Sequence, residues 1–174
     1  MTSRLVVVSG PPGTGKTSVS AQLASDADRS VHLESDRFYG FLAAGRIAPH
    51  RTDASSQNEV VIDAITQAAR VYLSGGYAVV WDGVVGPWYL ERVIDALGAT
   101  SFDYVVLRAP LTVLHERIRN RGSDPAEIGV EAMHPQFDDL GDLERCVVDA
   151  SAPLGTVTTS VRALLESGRA RIVC

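Results

Sequence analysis

Gly10, Gly13, Gly15, Lys16 and Thr17 stand in the run SGPPGTGKTS, residues 9 to 18, and fit the spacing G-x-x-x-x-G-K-[ST]. Residue types in that order suit the gripping of a polyphosphate. A triphosphate needs many donors in a small concave space, and side chains would obstruct its approach. Gly10, Gly13 and Gly15 can take positive φ and turn their NH groups inward, while a helix opening at about Gly15 aims its positive dipole end at the phosphates. Lys16 would reach the β- and γ-phosphates, and the Thr17 hydroxyl would hold Mg²⁺. Thr14 and Ser18 fall inside the same run and count with it as nucleotide contacts. A plain glycine-rich turn between a strand and a helix explains neither the Lys-Thr pair nor its register.

Such a loop requires a strand before it and a helix after it. Five short β-rich runs are present: RLVVV (4 to 8), VHL (31 to 33), YAVVW (77 to 81), DYVVL (103 to 107) and CVV (146 to 148). Most are continuous rather than alternating, and helices separate them, which implies a parallel sheet buried on both faces. The fold class is therefore three-layer α/β/α, in a single domain spanning 1 to 174.

The helices carry readable punctuation. In residues 56 to 73, Ser56 and Glu59 form a capping-box pattern, Val61, Ile65, Ala68 and Tyr72 share a face, and Gly75-Gly76 stop the helix. Pro87 suits a first turn before WYLERVIDAL, which ends at Gly98. Another helix runs through LTVLHERIRNR to about Gly122, and a last one from about Thr156 to Ser167 ends at Gly168. Residues 39 to 55 and 122 to 140 break the rhythm and are rich in Gly, Pro, Asp and Ser. Irregular segments of that length are often lids or binding loops; the first is read as a substrate-side segment and the second, with 117 to 121, as a lid.

In an open parallel sheet, ligands bind beyond the carboxyl ends of the strands. The second strand is followed there by ESDRFYG, the third by DGVVGPW and the fourth by Arg108, so Asp36 and Asp82 converge on the phosphate site. Asp36 is placed to act as general base toward an attacking hydroxyl; its alternative is structural, since Ser35 or Asp36 could cap a helix beginning RFYGFL. Asp82 follows four apolar residues and is read as an acid that helps bind Mg²⁺, directly or through water. Its alternative is a solvated strand end. In HERIRNR, Arg117 and Arg121 lie four residues apart on one helical face with Arg119 turned elsewhere. Guanidinium groups there can stabilise charge on a transferring phosphoryl group, although a solvated basic face gives the same pattern. His32 and His115 are read as packing residues, and His50 and His134 as candidates for substrate contact. Phe38, Tyr39, Trp81, Trp88 and Tyr89 flank the two acidic loops and could wall a pocket or fill the core.

The composition narrows the partners. A net charge of −5 and a pI near 5.3 give no general attraction for nucleic acid or anionic lipid. No apolar stretch approaches the roughly 18 residues of a membrane span, and the early LVVV lacks the length and cleavage site of a signal peptide. A cytoplasmic protein is expected, a monomer or a homodimer, with Cys146 and Cys174 as reduced thiols.

With the loop at 10 to 17, the acids at 36 and 82 and the Arg117/Arg121 pair, the chain resembles the small P-loop kinases. That group of P-loop NTPases includes nucleoside-monophosphate, shikimate and gluconate kinases, chloramphenicol phosphotransferase and the kinase part of polynucleotide kinase. The overall look is similar to chloramphenicol-phosphotransferase-like proteins, often labelled AAA-type ATP-binding proteins. The resemblance implies a five-stranded parallel sheet in the order 2-3-1-4-5, ATP at the loop, and Asp36 as base. It implies that Arg117 lies against adenine and Arg121 touches phosphate, and that the turn near Ala150 to Gly155 contacts the adenine ring. The expected activity is an ATP- and Mg²⁺-dependent transfer to a hydroxyl of a small molecule. The alternatives are an ATPase switch acting on a protein partner and a kinase of nucleosides or 5′-hydroxyl polynucleotides. A nucleotide-binding protein without catalysis is a further class, against which Lys16, Thr17 and the two acids argue.

Overall fold

A computed structural model describes residues 4–98 and 101–173; the expectation for Cys174 lies outside the described residues. Strand β1 (Leu5–Ser9) runs into the phosphate loop and helix α1 (Lys16–Ser25). Then come β2 (Ser30–Glu34), α2 (Ser35–Gly40), α3 (Ser55–Ser74), β3 (Ala78–Asp82) and α4 (Leu90–Leu97). They are followed by β4 (Phe102–Arg108), α5 (Leu111–Asn120), the short α6 (Pro125–Ile128) and α7 (Val130–Met133), β5 (Val147–Asp149), α8 (Leu154–Glu166) and β6 (Arg171–Ile172).

The sheet order is β2-β3-β1-β4-β5, all parallel, as the resemblance implied. The strand count needs a correction, because β6 adds a sixth strand. It pairs antiparallel with Phe102 and Asp103 of β4, on the edge whose far half carries β5. Two residues inside a polar tail carry too little periodicity to announce a strand.

The central strand LVVVS shows no alternation of apolar and polar residues because both faces of the sheet are covered. Val7, Trp81 and Tyr104 point into a core closed by α3 and α4, while Val6, Val8, Val80, Val105 and Leu107 point into one closed by α1, α5 and α8. The capping box is not formed: α3 starts at Ser55 after Ala54 with no side-chain cap, and Glu59 pairs with Arg92 at 3.3 Å. The buried stripe of α3 runs through Val61, Ile62, Ile65 and Ala69, with Tyr72 on the surface, so the expected face was rotated by part of a turn. Helix α8 begins at Leu154, two residues before the expected Thr156. Gly76, Gly98, Gly122 and Gly168 have positive φ where the helices were expected to stop.

The register puts Val8 and Glu34 beside Asp82, and Arg108 beside Asp149. Hence the strands end at one level, and the residues that follow β1, β2 and β3 face the same cleft. The lid segment is partly helical, holding α6, α7 and a 3-10 turn over His134–Phe137. Among the described residues no helix is long and apolar enough to cross a membrane.

Candidate active site

The phosphate loop forms for steric reasons that can be read residue by residue. Gly10 (φ +133°) passes so close to β4 that a Cβ would sit 2.1 Å from the Leu107 carbonyl oxygen. Gly15 (φ +91°) caps α1, and a Cβ there would stand in open space with no atom within 4 Å, inside the concavity that a phosphate needs. Thr14 is buried and donates its hydroxyl to the Pro11 carbonyl at 2.9 Å, so it braces the loop from behind. Lys16 Nζ donates to the same carbonyl at 3.0 Å. Burial lowers the pKa of Lys16 to about 8, with Asp82 and Asp36 pulling it upward and Arg121 downward. Those four charged groups share one electrostatic neighbourhood.

Thr17, in the first turn of α1, donates its hydroxyl to Asp82 Oδ2 at 2.5 Å. The other oxygen, Oδ1, lies 3.1 Å from His32 Nε2 on the neighbouring strand. Among the described residues no three His, Cys, Asp or Glu side chains are grouped to hold a metal by themselves. The donor set at Thr17 and Asp82 is a hydroxyl and a carboxylate, hard oxygens that suit Mg²⁺ shared with phosphate oxygens. His32, read as a packing residue, belongs to this cluster. Position 32 shares a strand face with Glu34, whose register partner is Asp82, a relation that only the pairing of the strands reveals.

Asp36 is exposed in the cleft, in the first turn of α2. The capping alternative fails, since the N-cap is Glu34 and no side chain caps the helix. Arg121 follows the last residue of α5 and lines the same cleft, whereas Arg119 is exposed and does not. Arg117 turns the other way along that face. Its guanidinium donates to the carbonyls of Ala150, Ser151 and Ala152 at 2.8, 3.2 and 3.4 Å, tying α5 to the turn after β5.

The cleft encloses about 1530 Å³. Lys16, Thr17, Asp36, Asp82 and Arg121 line it together with Arg46, His50, Trp88, Tyr89 and Arg92. Of the aromatic residues, Tyr39, Trp88 and Tyr89 line it, while Trp81 is fully buried and Phe38 packs on the core. Residues 41–51 are held by side chains of α3: the Gln57 amide bonds the main chain of Ile47 twice at 2.8 Å, and Asn58 donates to the Pro49 carbonyl at 2.8 Å. At its tip this segment meets the lid. The His50 ring lies against Gly129, where a Cβ would come within 2.5 Å of it. His134 sits at the base of the lid, with Nε2 at 3.1 Å from the Ala109 carbonyl, and does not line the cleft.

Solved structures with this architecture include a gluconokinase from Sinorhizobium meliloti 1021 (20% identity, 94% of this chain, 92% of that one, TM-score 0.70). An unliganded sugar kinase from Janibacter sp. HTCC2649 superposes with a TM-score of 0.72 at 20% identity, covering 94% of each chain. The tunicamycin resistance protein of Deinococcus radiodurans is similar too, with a TM-score of 0.69 and 19% identity over 93% of this chain and 95% of that one. No curated protein matches the chain in sequence. Residues 5–140, from the first strand through the phosphate loop, both acids and the lid, match the AAA domain family, and the chain belongs to that family, with the fold of the small P-loop kinases.

Proposed function

We propose that the protein is an ATP- and Mg²⁺-dependent phosphotransferase that moves the γ-phosphoryl group to a hydroxyl of a small molecule. The observation that carries this reading is the convergence of Lys16, Thr17, Asp36, Asp82 and Arg121 on one cleft, which Arg46, His50, Trp88, Tyr89 and Arg92 also line. Lys16 and the loop amides of Gly13, Gly15 and Ser18 grip the phosphates, with Gly10 and Thr14 shaping the loop behind them. Thr17 and Asp82 would hold Mg²⁺, which would supply positive charge against that of the phosphates. Asp36 accepts the proton of the acceptor hydroxyl as its oxygen attacks phosphorus, and Arg121 offsets the charge that develops on the transferring group. Arg117 and the turn at residues 150–152 form the adenine end.

Charge pairing supports a small acceptor over a polynucleotide. Arg92 is bound by Asp63 and Glu59, and Arg51 by Asp53, so these two arginines of the cleft are engaged by carboxylates rather than turned to track a phosphate backbone. The similarity to a gluconokinase and a sugar kinase points the same way. The reading includes a cytoplasmic setting and a monomer or homodimer. Its test is ADP release measured across alcohols, sugars, sugar acids, nucleosides, aminoglycosides, chloramphenicol and 5′-hydroxyl oligonucleotides. Acceleration by a hydroxyl compound over the water background is the expected result; an enzyme that ignores all of them while hydrolysing ATP is a partner-driven ATPase instead.

A further inference from the structure

His32 lies in β2, on the face of the strand opposite Val31 and Leu33, which pack on the α3 side of the sheet. Its register partner is Val80, two residues before Asp82, and its side chain is 19% exposed. From there Nε2 reaches Asp82 Oδ1 at 3.1 Å, while Asp82 Oδ2 accepts the Thr17 hydroxyl at 2.5 Å. Three elements, β2, β3 and α1, thus meet in one chain of hydrogen bonds whose end is the Thr17 oxygen. An ionised carboxylate only accepts, so the contact fixes the imidazole as the Nε2–H donor.

We infer that His32 is a positioning residue for the metal site: it holds the Asp82 carboxylate in the rotation at which Asp82 accepts the hydrogen bond of the Thr17 hydroxyl and leaves the Thr17 oxygen lone pairs turned toward a divalent cation. The inference rests on the proposed MgATP site. A carboxylate has two oxygens and rotates about its last bond with little hindrance. With Oδ1 bound to His32, that freedom is gone, and Oδ2 stays over Thr17. Both oxygens retain lone pairs, so a cation at the Thr17 oxygen would stay within reach of Asp82, directly or through water. Partners that orient a ligand from behind typically change metal affinity 10- to 100-fold when removed.

The test is nucleotide binding, read separately from turnover. A fluorescent ATP analogue is titrated in EDTA and across a Mg²⁺ series, with thermal melting as the check on folding. His32→Leu keeps the bulk and removes the donor; His32→Gln keeps an N–H donor on a side chain of similar reach. The expected result is that His32→Leu needs about 10-fold more Mg²⁺ for half-saturation, that His32→Gln stays within about 3-fold of the parent, and that binding in EDTA is the same in all three. An unchanged Mg²⁺ requirement in His32→Leu overturns the inference. So does a His32→Gln protein as impaired as His32→Leu, or a parallel loss of binding in EDTA, which would make His32 a packing residue. Should His32→Leu fail to fold, the comparison of His32→Gln with the parent still decides, because an unchanged requirement is then the expected result and a tenfold rise overturns it. A parent that binds no nucleotide at all overturns the MgATP reading itself, an outcome seen before any variant is made.

Discussion

The Trp81 indole NH donates to Ser35 Oγ at 2.8 Å, joining the centre of one core to the first residue of α2. Trp81 is fully buried, and Gly83 presses on the same hydroxyl so closely that a Cβ there would lie 2.0 Å from it. Asp36 is the next residue, so the backbone that carries it is anchored by a contact with the buried Trp81. Ser35→Ala leaves the buried indole NH without a partner, which costs about 1–3 kcal/mol. The expected outcome is lower unfolding stability in urea together with a fall in turnover, because the first turn of α2 is no longer anchored. Lost stability with full turnover would mean that Asp36 is positioned by something else.

Nucleotide binding should depend on Lys16. MgATP binds only the folded state and raises its melting temperature by mass action. Lys16→Ala is expected to remove most of that rise. Equal shifts in variant and parent would show that the loop does not grip phosphate through Lys16.

The two acids should separate in a magnesium titration. Asp36→Asn retains shape and loses the proton acceptor, so ATP binding persists while transfer falls by about 10²- to 10⁴-fold at every Mg²⁺ concentration. Asp82→Asn weakens the hold on the cation, and its defect should ease as Mg²⁺ rises. Because α2 is not capped by Asp36, a loss in Asp36→Asn cannot be put down to an unravelled helix.

The arginines of α5 and its end should differ among themselves. Arg121→Ala is expected to lower turnover by about 10²-fold, within the range for lost electrostatic stabilisation. Arg119→Ala, outside the cleft, should change little. Arg117→Ala should act on KM for ATP, since it releases the carbonyls of residues 150–152. Equal losses from all three would reduce the set to a general basic patch.

Lys16 also predicts a pH dependence. Its pKa is lowered by burial from the ordinary 10.5 to about 8 in the nucleotide-free protein. A bound polyphosphate favours the charged amine, so above pH 8 binding must take up a proton. Affinity for ATP in EDTA should be insensitive to this group below about pH 8 and fall by up to about tenfold per unit above it. The stability sign is opposite. The cost of burying the charge is fully present below pH 8 and shrinks between 8 and 10.5, so the empty protein gains stability across that window. Calorimetry in buffers of different ionisation enthalpy measures the proton uptake; none at pH 8.5 to 9.5 would contradict it.

The phosphate loop was legible because its function is written in the backbone, and only glycine meets the positive φ at positions 10, 13 and 15. The strand ends were legible for a related reason: a parallel sheet aligns its carboxyl edge, so the residues after VVVS, VHLE and AVVW fall together. His32 was not legible, since its importance lies in a hydrogen bond across 50 residues to a neighbouring strand whose register cannot be read from one chain. The pairing of Arg117 with three carbonyls was hidden likewise, because main-chain acceptors leave no residue signature. The Ser56/Glu59 capping pattern misled because packing started α3 at Ser55 and turned Glu59 toward Arg92.

The contact of His50 with Gly129 joins two surface segments 79 positions apart at a point with no room for a methyl group. Either segment is therefore free to change only in step with the other. A graft of residues 41–51 from a relative would import a side chain at position 50 shaped for a different neighbour, and a graft of the lid would fail for the mirror reason. Exchanging either segment would thus call for exchanging both as a pair, and Gly129, at φ +74°, is held to glycine by its backbone as well as by the His50 ring.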